Sequence, residues 1–191
     1  MTESTLLHEL VARSAARTPE APALTHGAHT LTYAELQGRV AAFAAGLRAL
    51  GLARTERVGI YLEKRFETVI ASFGAPAAGG VMVPMNPLLK AEQVAFIARD
   101  CNVRVLVTSP ERLLQLLPVL PECPDLRHVV LTEGAAPAVT LPPGIALHAW
   151  AALLDAAPAA GHRVIDTDLL AILYTSGSTG RPKGVVLSHR N

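Results

Sequence analysis

A ten-residue segment near the end of the sequence holds most of the side chains that could do chemistry. Residues 175–184 read Thr-Ser-Gly-Ser-Thr-Gly-Arg-Pro-Lys-Gly, with four hydroxyl groups, three glycines, one arginine and one lysine. Glycine tolerates positive φ, so successive backbone N–H groups can converge on an anion. The hydroxyl groups add neutral donors, and Lys183 adds a positive charge. The segment therefore favours a polyphosphate ligand, although composition alone fits a solvated turn as well.

The residues on either side of this segment predict a strand–loop–strand unit. Residues 169–176 are apolar and strand-like, and so are residues 183–188. A Walker A loop would instead place its lysine at the start of a helix. Tyr174 ends the first strand in a packing or a functional role, and Ser188 is predicted to cap a helix beginning at His189.

The preceding residues predict helices that alternate with short buried strands. Thr32 and Glu35 have the spacing of a capping box, and Gly51 stands where the same helix would end. A short amphipathic helix is predicted before these elements. The spacing predicts further helices near 65–78, 91–101, 111–118 and 149–157. It predicts strands near 57–62, 80–84, 103–109 and 128–132. This alternation predicts an α/β fold with a helix-covered, largely parallel sheet.

Composition excludes several classes of protein. Half of the 191 residues are hydrophobic and 17% are charged, which excludes global disorder. The formal net charge of +1 offers no basic field for nucleic acid or an anionic membrane. Residues 68–89 carry no charge, but glycines and prolines divide them, so a helix followed by a strand is predicted rather than a transmembrane segment.

Other residues with reactive side chains have simpler interpretations. Cys101 and Cys123 cannot form a disulfide framework, so we expect buried thiols and a cytoplasmic protein. His26 and His29 have no third ligand nearby, and no metal site is predicted. Asp166 and Asp168 could form a catalytic pair, but turn residues are favoured.

The segment Tyr-Thr-Ser-Gly-Ser-Thr-Gly-Arg-Pro-Lys-Gly-Val at 174–185 resembles the phosphate-binding loop of the adenylate-forming superfamily. That superfamily includes acyl- and aryl-CoA synthetases, luciferases and the adenylation domains of peptide synthetases. Upstream segments resemble the same superfamily in order and spacing, among them LTYAEL at 31–36 and FETVIASFGAPAAGGVMVPMNP at 66–87. The resemblance extends from about residue 5 to the end of the sequence.

The resemblance implies an activity and a set of site residues. Enzymes of this superfamily activate a carboxylate with ATP, release pyrophosphate and usually pass the acyl group to a thiol. The carried-over phosphate-binding residues are Thr175, Ser176, Gly177, Ser178, Thr179, Gly180 and Lys183. Lys183 is also expected to stabilise the charge that develops on the leaving pyrophosphate. Mg²⁺ is expected with the nucleotide, and CoA or another thiol is the expected acceptor.

The resemblance also implies that more of the protein exists. Superfamily members are much longer, so we expect residues 1–191 to be an incomplete, inactive N-terminal AMP-binding domain without the C-terminal domain that carries a catalytic lysine. VPMNP at 83–87 resembles acyl- and aryl-CoA ligases somewhat more than amino-acid-activating domains. An amino-acid-activating domain and a non-catalytic binding module remain the alternatives.

Overall fold

The computed structural model describes residues 6–133, 138–157, 161–175 and 182–191. The helices are α1 Leu7–Arg17, α2 Tyr33–Ala49, α3 Phe66–Ala77, α4 Ala91–Asp100, α5 Pro110–Leu116 and α6 Trp150–Leu154. The strands are β1 Pro22–His26, β2 His29–Thr32, β3 Arg57–Tyr61, β4 Val81–Pro84, β5 Val103–Thr108, β6 His128–Leu131, β7 Ala146–Ala149, β8 Leu169–Thr175 and β9 Lys183–Ser188.

The main sheet has the strand order β7-β6-β5-β3-β4-β8-β9. Neighbouring strands from β7 to β8 are parallel, and only β9 runs antiparallel to its neighbour β8. The predicted helix-covered, largely parallel α/β sheet is confirmed. The antiparallel pair at one edge follows from the short connection between β8 and β9, because a parallel crossover needs a much longer segment.

The core lies on both faces of the sheet because alternate strand residues point in opposite directions. Val105 and Val107 of β5 pack in a cluster with α2 and α3, whereas Leu106 packs in a second cluster with α4 and α5. All three side chains are almost fully buried. Burial on both faces explains why these strands are continuous apolar runs in the sequence.

Helix α2 begins and ends at the residues that the sequence predicts. The Glu35 N–H donates to Thr32 Oγ1 at 3.2 Å, and the Thr32 N–H donates to Glu35 Oε2 at 2.8 Å. Gly51 follows the helix with φ +84°, a conformation that glycine adopts without strain. Its apolar residues Leu36, Val40, Phe43 and Leu47 are buried, and Phe43 stacks on Trp150 with ring centroids 4.6 Å apart.

The uncharged run at 68–89 forms most of α3 and all of β4, as predicted. No helix in the described part of the chain is long and apolar enough to cross a membrane. Cys101 and Cys123 are free and buried, which confirms the prediction for both thiols. Burial raises the pKa of Cys101 to about 11, so its thiol stays protonated and unreactive near neutral pH.

Three features differ from the sequence-based expectations. The β1–β2 hairpin turns at Gly27, with His26 paired to His29, and the apolar spacing does not indicate it. Strand β7 is also not predicted, because Ala146–Ala149 lacks β-branched residues. Residues 189 and 190 form a turn instead of the expected helix, although Ser188 Oγ accepts from the Arg190 N–H at 3.3 Å.

Candidate functional site

Strands β8 and β9 bring together the two ends of the predicted phosphate-binding segment. Thr175 ends β8, Lys183 begins β9, and the two residues are paired across the antiparallel ladder. Both are exposed. The other predicted site residues, Ser176, Gly177, Ser178, Thr179 and Gly180, lie outside the described residues. The predicted strand–loop–strand unit is therefore observed in its two strands.

The position of β8 in the sheet places Thr175 where ligands bind in many α/β proteins. Ala171 of β8 pairs in parallel with Met82 of β4, so Thr175 lies toward the carboxyl edge of the parallel strands. Open α/β sheets bind ligands in the crevice outside that edge. Lys183 lies at the same end of the hairpin and forms no ion pair with another described residue.

Two features define the ends of β8 and β9 beside this segment, namely a hydrogen bond from Tyr174 and the absence of a side chain at Gly184. Tyr174 Oη donates a hydrogen bond to Asp100 Oδ2 at 2.5 Å. Burial, together with the neighbouring Asp100 carboxylate, raises the pKa of Tyr174 well above its usual value, so the hydroxyl remains a donor. Gly184 is paired with Tyr174, and a Cβ there would lie 2.9 Å from Ile172 Cγ2. No local sequence pattern indicates Asp100, because the contact spans 74 positions.

Charged groups near the opposite end of the hairpin are already paired. Asp168 accepts hydrogen bonds from the Ile165 N–H at 3.0 Å and from Arg54. Asp166 binds Arg190 at 2.7 Å. Both aspartates lie in the turn before β8, where the sequence predicts them, and each forms an ion pair with an arginine. Among the described residues, no three His, Cys, Asp or Glu side chains lie close enough together to hold a metal ion.

A second crevice of about 610 Å³ lies at the carboxyl ends of β3 and β5. Its Arg112 donates to Glu63 and to the Pro87 carbonyl, the latter at 2.8 Å, and lies over the Tyr61 ring at 4.5 Å. The Arg112 hydrogen bond lowers the pKa of Glu63. Arg112 thus links Glu63 to the segment after β4, and its charge is neutralised by Glu63, while Arg65 and Lys90 also line the crevice.

Known proteins resemble this chain in sequence and in fold. Tyrocidine synthase 3 of Brevibacillus parabrevis is 33% identical over 190 residues, which are 96% of this chain and 3% of that protein. The anthranilate CoA ligase AuaEII, solved in complex with anthranoyl-AMP, superposes with a TM-score of 0.86 at 24% identity, over 97% of this chain and 35% of that one. VinN in complex with L-aspartate is 30% identical with a TM-score of 0.75, over 97% of this chain and 44% of that one.

The chain thus spans less than half the length of each of these relatives. Residues 11–191 match the family described as "AMP-binding enzyme". That match includes β8, β9 and the segment between them. Because it covers almost the whole sequence, the chain belongs to the AMP-binding enzyme family, and its resemblance to adenylate-forming ligases is confirmed.

Proposed function

We propose that the full-length protein activates a carboxylic acid with ATP, forms an acyl-adenylate, releases pyrophosphate and transfers the acyl group to a thiol such as CoA. The observation that carries this proposal is the pairing of Thr175 with Lys183 at the carboxyl edge of the sheet, within a chain of the AMP-binding enzyme family. Residues 1–191 are proposed to be the N-terminal part of the AMP-binding domain.

The proposed reaction begins when a carboxylate oxygen attacks the α-phosphorus of ATP. The bond from the α-phosphorus to the bridging oxygen breaks, and pyrophosphate leaves with that oxygen and its electron pair. Negative charge increases on the leaving group, so donors that are already oriented toward it lower the barrier. Mg²⁺, bound with the nucleotide, would neutralise part of the same charge.

The loop residues have separate proposed roles in this step. Ser178 and Thr179 donate hydroxyl hydrogen bonds to the terminal phosphates, Gly177 and Gly180 offer backbone N–H groups, and Lys183 supplies the cation. Thr175 and Ser176 complete the set. Pairing with Thr175 fixes the backbone of Lys183 at the base of the loop. We propose that the ammonium group reaches the terminal phosphates from that position.

A specific observation favours an amino acid as the second candidate substrate. VinN, which was solved with L-aspartate and with 3-methylaspartate, is 30% identical to this chain over a match that covers 97% of this chain. The segment VPMNP at 83–87 supports a fatty, other acyl or aryl acid instead. The free, buried thiols of Cys101 and Cys123 suit a reducing compartment, and we propose the cytoplasm as the place of the reaction.

Carboxylate-dependent ATP–pyrophosphate exchange by the purified full-length protein tests the proposal. One panel of acids contains amino acids, including aspartate and 3-methylaspartate, and the other contains fatty and aryl acids, including anthranilate. Exchange with one panel identifies the substrate class, and transfer to CoA or to a carrier-protein thiol then identifies the acceptor. A protein that binds ATP but supports no exchange with any acid would favour the non-catalytic binding module and overturn the proposal.

A further inference from the structure

The carboxyl half of β8 has little support from the rest of the parallel sheet. Its register with β4 consists of the single pair Met82–Ala171 in the described part of the chain. Beyond Ala171, β8 is paired with β9, which lies at the edge of the sheet. Val185 and Val186 of β9 are 47% and 54% exposed. Apart from its pairing with β9, the end of β8 that carries Thr175 therefore depends on side-chain contacts.

Tyr174 supplies such a contact from the face covered by α4. Its ring packs with Ile172 against the core cluster beneath α4 and α5. Its hydroxyl donates to Asp100, the last residue of α4. Because side chains alternate along a strand, Thr175 points to the opposite face and remains exposed. Tyr174 can thus fix the strand end without occupying the space beside Thr175.

Asp100 stands at a position where its charge disfavours the helix. The carbonyl end of a helix carries partial negative charge, so an aspartate in the last turn is slightly destabilising. Arg99, its neighbour, has the sign that the helix end prefers. Helix stability therefore does not account for Asp100, whereas the 2.5 Å hydrogen bond from Tyr174 does.

Gly184 completes the same arrangement on β9. It is the direct cross-strand partner of Tyr174, and a Cβ at this position would lie 3.2 Å from Tyr174 Cζ and 2.9 Å from Ile172 Cγ2. The absence of a side chain lets the ring of Tyr174 lie across both strands. One aromatic side chain thus connects β8, β9 and α4 within one or two residues of Thr175 and Lys183.

We propose that Tyr174, tethered to Asp100 and lying across Gly184, is a positioning residue that holds Thr175 and Lys183 in the register needed to stabilise the charge that develops on the leaving pyrophosphate during adenylation. This inference rests on the proposed function for its effect on activity. The tether itself is a structural claim that can be tested without activity. A tyrosine that only filled space would be replaceable by phenylalanine.

Tyr174→Phe keeps the ring and removes the hydroxyl, and Asp100→Ala removes the acceptor while favouring the helix end. Tyr61→Phe is the matched control, since the Tyr61 hydroxyl donates to the Leu89 carbonyl at 2.7 Å, in the other crevice. In the full-length protein we expect kcat for pyrophosphate release to fall roughly tenfold in the first two variants, because small misplacements of catalytic groups are costly. KM for ATP should change less than about twofold, and the double variant should lose no more than either single one.

Hydrogen–deuterium exchange of the same proteins tests the tether independently. Peptides covering β9 should exchange faster in Tyr174→Phe and Asp100→Ala, but not in Tyr61→Phe. Unchanged exchange in β9, or additive losses of kcat in the double variant, would overturn the positioning role. A wild-type protein that releases no pyrophosphate with any acid would instead refute the proposed function, and the exchange of β9 would still decide whether the tether exists.

Discussion

The centre of the sheet and its β8–β9 edge are built in opposite ways. Val58 of β3 and Val105 of β5 are fully buried beneath α2 and α3, in a sheet whose other face is covered by α4 and α5. Val185 and Val186 of β9 are about half exposed. The centre owes its order to burial of apolar surface, whereas the edge depends on strand pairing and on individual hydrogen bonds such as Tyr174–Asp100. A candidate phosphate site needs open space, so it lies at the edge that burial stabilises least.

The largest expected effect separates these two regions by their stability. Phe43→Ala removes a fully buried ring that stacks on Trp150 at 4.6 Å, and such truncations typically cost about 3–5 kcal/mol. Val186→Ala removes a side chain that is 54% exposed and should change the free energy of unfolding by less than about 0.5 kcal/mol. Urea denaturation of both variants measures the difference. Equal losses would mean that the edge is as tightly packed as the centre.

The sequence predicts the central strands as well as β8 and β9, but it does not predict β1, β2 or β7. Burial imposes apolar periodicity, and that pattern indicates α2, α3 and the central strands. The β1–β2 hairpin buries few residues, and β7 is only partly buried, so neither produces a clear pattern. The site is predicted from a motif rather than from periodicity. The hydrogen bond from Tyr174 to Asp100 could not be predicted, because a bond between residues far apart in the sequence produces no local pattern of residue types.

The second prediction concerns activity at the edge. Lys183→Ala in the full-length protein should lower kcat for adenylation by about 10²–10³, because one donor to developing charge is lost. Lys183→Arg should recover only part of that loss, since a planar guanidinium does not replace a compact ammonium. Arg181→Ala should lower kcat for adenylation by less than about tenfold. Lys64→Ala, at an exposed lysine beside β3, is the control.

Pyrophosphate release measures the activity of these variants, and urea denaturation shows whether a loss of activity is due to a loss of stability. The free energy of unfolding should stay within about 0.5 kcal/mol of wild type in Lys183→Ala, because the side chain is exposed. Equal, small losses of kcat at Lys183 and Arg181 would show that the backbone of the loop, rather than Lys183, binds the phosphates.

The third prediction compares two hydroxyl groups that accept backbone hydrogen bonds. Thr32→Ala removes a capping box from the helix that covers the centre and should cost about 1 kcal/mol. Ser188→Ala removes the hydrogen bond accepted from the Arg190 N–H at 3.3 Å and the one donated to Asn191 Oδ1 at 2.9 Å. Both are exposed, in the turn after β9, so the substitution should cost less. Chemical denaturation of both variants ranks them. A larger loss for Ser188→Ala would contradict the view that the edge contributes little to global stability.

The smallest expected effect concerns the pH dependence of stability and involves the two edges of the sheet. At one edge, His128 Nδ1 and His148 Nε2 lie 3.1 Å apart on β6 and β7. Burial lowers the pKa of both residues, and the proximity of His148 lowers that of His128 further. At the other edge, His189 Nδ1 accepts from the Leu7 N–H at 3.1 Å, and burial lowers its pKa as well.

In the unfolded chain these histidines regain an ordinary pKa near 6.5. Below about that pH the unfolded chain binds more protons than the folded one, so stability should fall as the pH drops through 6.5 toward the lowered folded-state pKa values. Above about pH 7.5 all three are almost entirely neutral in both states, and they should cause no pH dependence there. Urea midpoints measured from about pH 7.5 down to about pH 5.5 follow this loss.

His148→Gln and His189→Gln assign the loss to one edge or the other. Each variant should lose less stability on acidification than wild type, and their effects should add, because the two histidines lie in separate contacts on opposite sides of the sheet. Protonation of His189 also removes the lone pair that accepts from Leu7 and fastens α1 beside the end of β9. We therefore expect faster hydrogen–deuterium exchange in α1 at low pH. His148→Gln should show the same increase as wild type. If His189→Gln retained the full acid sensitivity of wild type, His189 would contribute nothing to it.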